Sequence, residues 1–285
     1  MSLDSNIAII TTDSLTADFE RAGLYPGQIL IIHTSMKALG GYIVGAEQAV
    51  VDALMAVITP EGTLMMPTHS SDNTDPATWR RPPVPEAQWD IIRAAMPPYR
   101  PESTPTNRMG RINECFRNYP GVVRSGHPAF SFGAWGKHAE YITANQALDN
   151  SVAEQSPIGR LYELDGWVGL LGVGYHNNTS LHLADYRAHW RGKVPEFNGS
   201  AMLVNGERRW VTYRDDAIAA DDFEELGAAF EQSGQVRMTQ VGAATLRLMR
   251  QRALVDFAVG WLEANRPASL ERCGFVPLKA DSDGS

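Results

Sequence analysis

Cysteine is nearly absent from this chain of 285 residues: only Cys115 and Cys273 occur, with no metal-type spacing between them. One disulfide is compatible with that pair but nothing calls for it, so a reducing cytoplasm is the expected compartment. Long apolar runs are also missing, so no segment is expected to span a bilayer. The first twenty residues, MSLDSNIAIITTDSLTADFE, have no basic stretch followed by an apolar one and are not expected to be a signal peptide. Positive charge is scarce: 25 Lys and Arg stand against 33 Asp and Glu, a net charge of -8. That balance disfavours nucleic acid and anionic membrane surfaces and is compatible with a cationic partner. No GxxxxGK[ST] loop and no GxSxG elbow is present, and neither cysteine sits in a nucleophile motif. A Walker-type phosphate loop and covalent hydrolase chemistry are therefore unsupported.

What is present is ordinary for a globular protein: 44% hydrophobic and 20% charged residues, enough to bury a core without disulfides or structural metal. Near the N-terminus, residues 13–23 predict a helix capped by Asp13 or Ser14. Residues 28–33 (QILIIH) predict a buried strand, 46–58 a helix through Val50, Ala53, Leu54 and Val57, and 63–66 a second buried strand. Two short strands around a helix suggest a parallel βαβ unit. Residues 69–108, with Pro82-Pro83 and Pro97-Pro98, are too long for a simple loop and read as a functional insertion. Short helices are expected at 110–117 and 136–144, a turn then a strand over 124–136, and a helix begun by Ser156-Pro157. Asn205-Gly206 between apolar runs predicts a hairpin over 197–213. Residues 242–262 read as an amphipathic helix, and the tail after Lys279 as frayed. With no repeat and no linker, residues 1–285 form one expected domain.

Chemistry concentrates in residues 167–190, WVGLLGVGYHNNTSLHLADYRAHW. A buried strand ends in Gly172-Val173-Gly174, then a polar turn feeds a helix that Asn178 or Thr179 can cap. Strand tips that lead into helices are where open α/β sheets bind ligands. His182 is a candidate general base, since imidazole titrates near neutrality and a carboxylate can fix its tautomer. His182, Asp185 and His189 share one helical face, which leaves a divalent-metal hydrolase open as an alternative. The two histidines are, however, about 10 Å apart along the axis, wide for a single ion. Thr34, Ser35 and Lys37 precede a helix start and suit an anion. Asp215, Asp216, Asp221, Asp222, Glu224 and Glu225 either gather a polycation or form a solvated face.

Several stretches together resemble the aminoglycoside 3-N-acetyltransferases, a coenzyme A-dependent family distinct from the GNAT fold. They are HTSMKALG (33–40), EGTLMMPT (61–68), MGRINECFRNYPGVVRSGHP (109–128), SPIGRLYELDG (156–166), LLGVGYHNNTSLHLAD (170–185) and DDFEELG (221–227), in the family's order. The resemblance implies an α/β fold, a single domain with a central mixed sheet flanked by helices. It implies acetyl transfer from acetyl-CoA, as cosubstrate and without metal, to the 3-amino group of an aminoglycoside. His182 and Thr179 match the family's TxLHxAE pattern; its glutamate falls on Asp185, one methylene shorter. The same likeness suggests Ser35, Lys37, Arg124, Ser125 and Ser156 for the coenzyme, and Asp221 and Glu224 for the small cationic substrate. A homodimer is compatible with this. An acetyltransferase for another small amine, the metal-dependent hydrolase, and a CoA-binding relative without catalysis are the alternatives.

Overall fold

The computed structural model describes residues 7–80, 82–190, 193–216 and 219–272. Cys273 and the polar tail after Lys279 lie outside them. In chain order the elements are β1 (Ile9–Ile10), α1 (Thr12–Ala22), β2 (Ile29–Thr34), β3 (Tyr42–Ile43), α2 (Ala46–Ile58), β4 (Thr63–Pro67), α3 (Trp89–Ala95), α4 (Arg111–Arg117), β5 (Val123–Arg124) and β6 (Phe132–Gly136). They continue with α5 (Ala139–Thr143), α6 (Pro157–Glu163), β7 (Trp167–Leu171), α7 (Ser180–Arg187), β8 (Pro195–Val204), β9 (Glu207–Asp216), α8 (Phe223–Glu231), β10 (Arg237–Val241), β11 (Ala244–Arg250) and α9 (Gln251–Arg272).

Seven strands form a mixed sheet in the order β10-β11-β7-β2-β4-β6-β5. Its centre is parallel, with β2 between β7 and β4; the strands outside these pair antiparallel. The apolar QILIIH run forms β2 because both faces of a central strand are buried. Successive side chains of a strand point to opposite faces. Leu30 and Ile32 therefore pack with Leu15 and Phe19 of α1 and Val50 and Leu54 of α2. Ile31 enters the other core, with Ile158 of α6, Leu181 and Ala184 of α7, Phe223 of α8 and Leu254 of α9. The same alternation turns His33 toward the α7 layer. The mixed sheet flanked by helices is the expected architecture.

Two local expectations are corrected. α1 is capped by Thr11, not by Asp13 or Ser14: the Thr11 hydroxyl accepts from the Ser14 amide at 3.2 Å, and the Ser14 hydroxyl accepts from the Thr11 amide at 2.9 Å. Residues 242–262 are not one helix. Ala244 to Arg250 is strand β11, paired with β10 and β7, and the helix starts at Gln251. Ala244, Leu246 and Leu248 are buried while Thr245 and Arg247 are half-exposed, so the segment alternates with a period of two.

The hairpin turn falls at Asn205-Gly206 as expected, joining β8 to β9. The Pro-rich segment is anchored to this hairpin. The Tyr99 amide donates to the Ala201 carbonyl at 2.8 Å, and Arg208 Nε donates to the Met96 carbonyl at 2.9 Å. Within the segment Arg93 grips both carboxylate oxygens of Asp75 at 2.8 and 3.0 Å.

Candidate active site

The carboxyl ends of the three parallel strands converge on one cavity of about 220 Å³. β2 contributes His33 and Thr34, the end of β4 and the residues after it contribute Pro67 and His69, the turn after β7 contributes Val173, His176, Asn177 and Thr179, and α7 contributes His182. Asn113 of α4 ties two of these tips together: its Oδ1 accepts from the Thr34 hydroxyl at 3.1 Å and its Nδ2 donates to the Pro67 carbonyl at 2.8 Å. Two glycines let the β7 turn fit. Gly172 has φ +66°, and a Cβ there would lie 2.2 Å from Ala38 Cβ; one on Gly174 would lie 2.1 Å from Glu224 Oε1.

α7 is started by Asn178, whose Oδ1 accepts from the Ser180 amide at 3.2 Å. Thr179 makes no capping bond and lines the cavity instead. His182 follows one turn later, its ring 4.9 Å from that of Phe223. Its Nδ1 is buried with no hydrogen-bond partner among the described residues. Burial lowers its pKa to about 4; the Asp185 carboxylate works against that shift and Arg266 adds to it. His33 and His69 are lowered to about 3, chiefly by burial and then by neighbouring histidines. All three rings are therefore neutral at pH 7. His69 stands edge-on to Phe130 and Phe132 at 5.5 and 5.1 Å.

Asp185, three residues beyond His182 on α7, is buried. Its Oδ1 accepts from Trp190 Nε1 at 2.9 Å, and its Oδ2 lies 2.6 Å from Arg266. His189 falls beyond the end of α7 and is exposed, so the expected single face of His182, Asp185 and His189 is not formed. The alanine after Arg187 leaves the helical conformation, with ψ 140°, and turns the chain away. Among the described residues no group of three or more His, Cys, Asp or Glu could hold a metal ion.

The residues suggested for the coenzyme divide into two sets. Ser35 and Lys37 follow Thr34 at the β2 tip, Ser35 half-buried and Lys37 exposed. Arg124, Ser125 and Ser156 are buried and bonded within the chain. Arg124 donates to the Thr68 carbonyl, the Ser70 and Ser131 hydroxyls and the Pro101 carbonyl, at 2.5 to 3.2 Å, and also to the Thr104 carbonyl. Ser125 Oγ donates to Gln146 Oε1 at 2.6 Å and accepts from the Phe132 amide at 2.9 Å. Ser156 caps α6, accepting from the Ile158 and Gly159 amides. These three do not line the cavity.

The acidic cluster is dispersed. Asp215 accepts from the Ser151 and Tyr186 hydroxyls, Asp222 from Arg266, and Asp216 lies 3.4 Å from Lys193. Asp221 is exposed and does not line the cavity. Glu224 reaches the rim through His176, accepting from its amide at 3.0 Å and from its Nδ1 at 2.6 Å. Burial pushes the Glu224 carboxyl up, but these bonds from His176 outweigh it and leave it below its ordinary value.

Sequence reasoning missed His33, His69, Asn113, Arg108 and His176. Arg108, with φ +57°, lines three adjoining cavities. One of about 470 Å³ runs along the start of α4 past Glu47, Gly110 and Arg111. Another of about 620 Å³ lies between the Pro-rich segment and the hairpin, with Asp72, Trp79 and Glu196 in its lining. For His33 a signal existed, since strand alternation places it opposite Ile32.

A family model described as aminoglycoside 3-N-acetyltransferase matches residues 31–263. The SPbeta prophage-derived aminoglycoside N(3')-acetyltransferase-like protein YokD of Bacillus subtilis (strain 168) is 40% identical over 263 residues, covering 92% of this chain and 96% of its own. Its crystal structure aligns with a TM-score of 0.89 over 93% of this chain and 97% of the other. The aminoglycoside N(3)-acetyltransferase VII of Streptomyces paromomycinus is 34% identical over 276 residues, 89% of this chain and 92% of its own. The structure of AAC-IIIb in its binary complex with CoASH aligns with a TM-score of 0.80 at 29% identity, covering 90% and 97% of the two chains.

Proposed function

The chain belongs to the aminoglycoside 3-N-acetyltransferase family, and from that premise we propose that it moves an acetyl group from acetyl-CoA to the 3-amino group of an aminoglycoside, with His182 as general base. The observation that carries this reading is the neutral His182 ring on the cavity, at the point where three parallel strand tips meet.

Acetyl-CoA supplies an acyl thioester, which an unprotonated amine can attack. The residues present suit such a cosubstrate. Arg108 and Arg111 provide cations at the start of α4, the chemistry a pyrophosphate requires, and Lys37 is an exposed cation just after the β2 tip. Thr34 and Asn113 line the inner end of that path.

His182 takes the proton that the amine sheds as its nitrogen bonds to the thioester carbon, and the imidazolium returns it to sulfur as the C–S bond breaks and coenzyme A leaves as the thiol, an effect worth about 10²–10⁴-fold. The Thr179 hydroxyl or a backbone amide of the β7 turn donates to the oxygen on which charge builds. Asp185 favours the protonated form of the ring through space. Ser35 and Lys37, just after the β2 tip, are the residues this reading gives to the cosubstrate; Arg124, Ser125 and Ser156 are buried and bonded within the chain. The acceptor enters from the larger cavity, where Asp72 and Glu196 meet its ammonium groups, while Glu224 acts at the rim. Holding both reactants at one point removes the entropic cost of their encounter.

One observation favours a second reading, a simpler amine as acceptor: among the described residues no carboxylate lines the inner 220 Å³ cavity. Thiol release from acetyl-CoA, measured across a panel of aminoglycosides and small amines, separates the two. Turnover of aminoglycosides with acetylation at N3 is expected. Turnover confined to small amines transfers the conclusion to the second reading, and no turnover with any amine overturns both.

A further inference from the structure

Arg266, on α9, is far from the family motifs in the chain, yet its side chain is fully buried beside the base. It lies 2.6 Å from Asp185 Oδ2, donates to both oxygens of Asp222 at 2.8 and 2.9 Å, and donates to the Ala219 carbonyl at 3.0 Å. Its guanidinium stacks near Trp190 and Phe223, at 5.1 and 5.6 Å from their ring centres. Phe223 is the ring that packs on His182, and Trp190 is the donor that holds the other Asp185 oxygen. Trp190, which holds one Asp185 oxygen, and Phe223, which packs on His182, thus both touch Arg266, while His182 Nδ1 is left without a hydrogen bond among the described residues.

We infer that Arg266 is a positioning residue of the acetyl-transfer site, holding the Asp185 carboxylate off the His182 ring and so setting the proton affinity of that imidazole. The inference rests on His182 being the base. A buried arginine between two carboxylates leaves the array Asp185–Arg266–Asp222 with one net negative charge. Asp185 favours the imidazolium and the guanidinium opposes it. The short side chain at position 185 makes the arrangement geometric as well as electrostatic, since the carboxylate spends its two oxygens on Trp190 and Arg266. Among the described residues, the other titratable or charged groups lining the same cavity are His33 from β2, His69 after β4, His176 after β7 and Arg108 before α4; His33 and His69 are neutral at pH 7. Removing the guanidinium therefore strengthens the hold of His182 on its proton.

The test is Arg266→Gln, read by nuclear magnetic resonance titration of histidine-labelled protein, with the His182 signal assigned from His182→Asn. The acid limb of the kcat/KM profile is followed alongside. Breaking one partner of a buried ion pair is strongly destabilising, whereas removing opposite charges together is far better tolerated. The double variant Arg266→Met, Asp222→Asn is therefore measured in parallel. In whichever variant folds, the His182 midpoint should rise by about one pH unit, a roughly tenfold gain in proton affinity, and the kinetic limb should follow it. A purely structural arginine would lower kcat equally at every pH and leave the midpoint where it was, which overturns the inference. A midpoint that moves while the kinetic limb stays put removes His182 as the base and the positioning role with it. That outcome is distinct from a loss of the acetyl-transfer reading, which the thiol-release panel decides on the unaltered protein.

Discussion

Glu224 accepts two hydrogen bonds from His176, one from its amide at 3.0 Å and one from its ring Nδ1 at 2.6 Å. These residues are 48 positions apart and join the start of α8 to the turn after β7. The bonds hold a carboxylate at the cavity rim in its charged form, and the proposed contact with the acceptor rests on that charge. Glu224→Gln should raise KM for a polyamine acceptor several-fold more than for acetyl-CoA. Asp221→Asn, at an exposed position outside the cavity lining, should leave both unchanged. Equal effects of the two variants in steady-state kinetics would reject the distinction.

His182→Asn should keep the fold and lower kcat by about 10²–10⁴, the range expected for loss of a general base. KM for acetyl-CoA should stay close to its original value. Retention of most turnover would return the proton-transfer role to another cavity group, with His33 and His69 next in line.

Acid should unfold this protein through its imidazoles. The folded-state values of His33, His69, His127 and His182 lie at about 3, 3, 4 and 4, all below the ordinary 6.5, and burial is the leading cause in each. Below pH 6.5 the unfolded chain binds protons that the native state refuses. The stability these rings contribute is therefore complete above pH 6.5 and drains away as pH falls toward 4 and 3. The melting temperature should decline steadily over that window. His127→Gln should flatten the decline, its amide oxygen still able to accept from the Ala129 and Phe130 amides. A melting temperature constant down to pH 4 would contradict this account.

Arg124→Lys should destabilise the protein by about 1.5–3 kcal/mol, the worth of a hydrogen bond to a charged group, because a lysine cannot reproduce the fan of bonds to residues 68, 70, 101, 104 and 131. The 69–108 segment should become easier to cleave by protease. A variant that melts normally but has a selectively raised KM for acetyl-CoA would put Arg124 back at the cosubstrate.

Much of this fold is legible in the sequence because its central strands are continuous apolar runs and its helices carry regular stripes. α2 falls at the residues the spacing of Val50, Ala53, Leu54 and Val57 indicates. The β11 segment was obscured because ATLRLM satisfies both a helical and an alternating pattern, and only its pairing with β7 decides between them. The site was half legible. His182 and Thr179 stand in one local motif, so chain order alone brings them together. His33 and His69 reach the same cavity from other strands, and nothing in a linear pattern says which strand tips become neighbours. The acidic run misled for a similar reason: clustering along the chain is not clustering in space, and β9, its end and α8 send those carboxylates to separate partners.

The floor of the inner cavity is made by strand ends locked into the sheet, while the larger cavity beside it is walled by two excursions, the 69–108 segment and the β8–β9 hairpin, that lean on each other at Tyr99 and Arg208. Such a division separates what must stay still from what is free to drift. A change confined to the paired excursions therefore reshapes the larger cavity and leaves the strand ends beneath it in place.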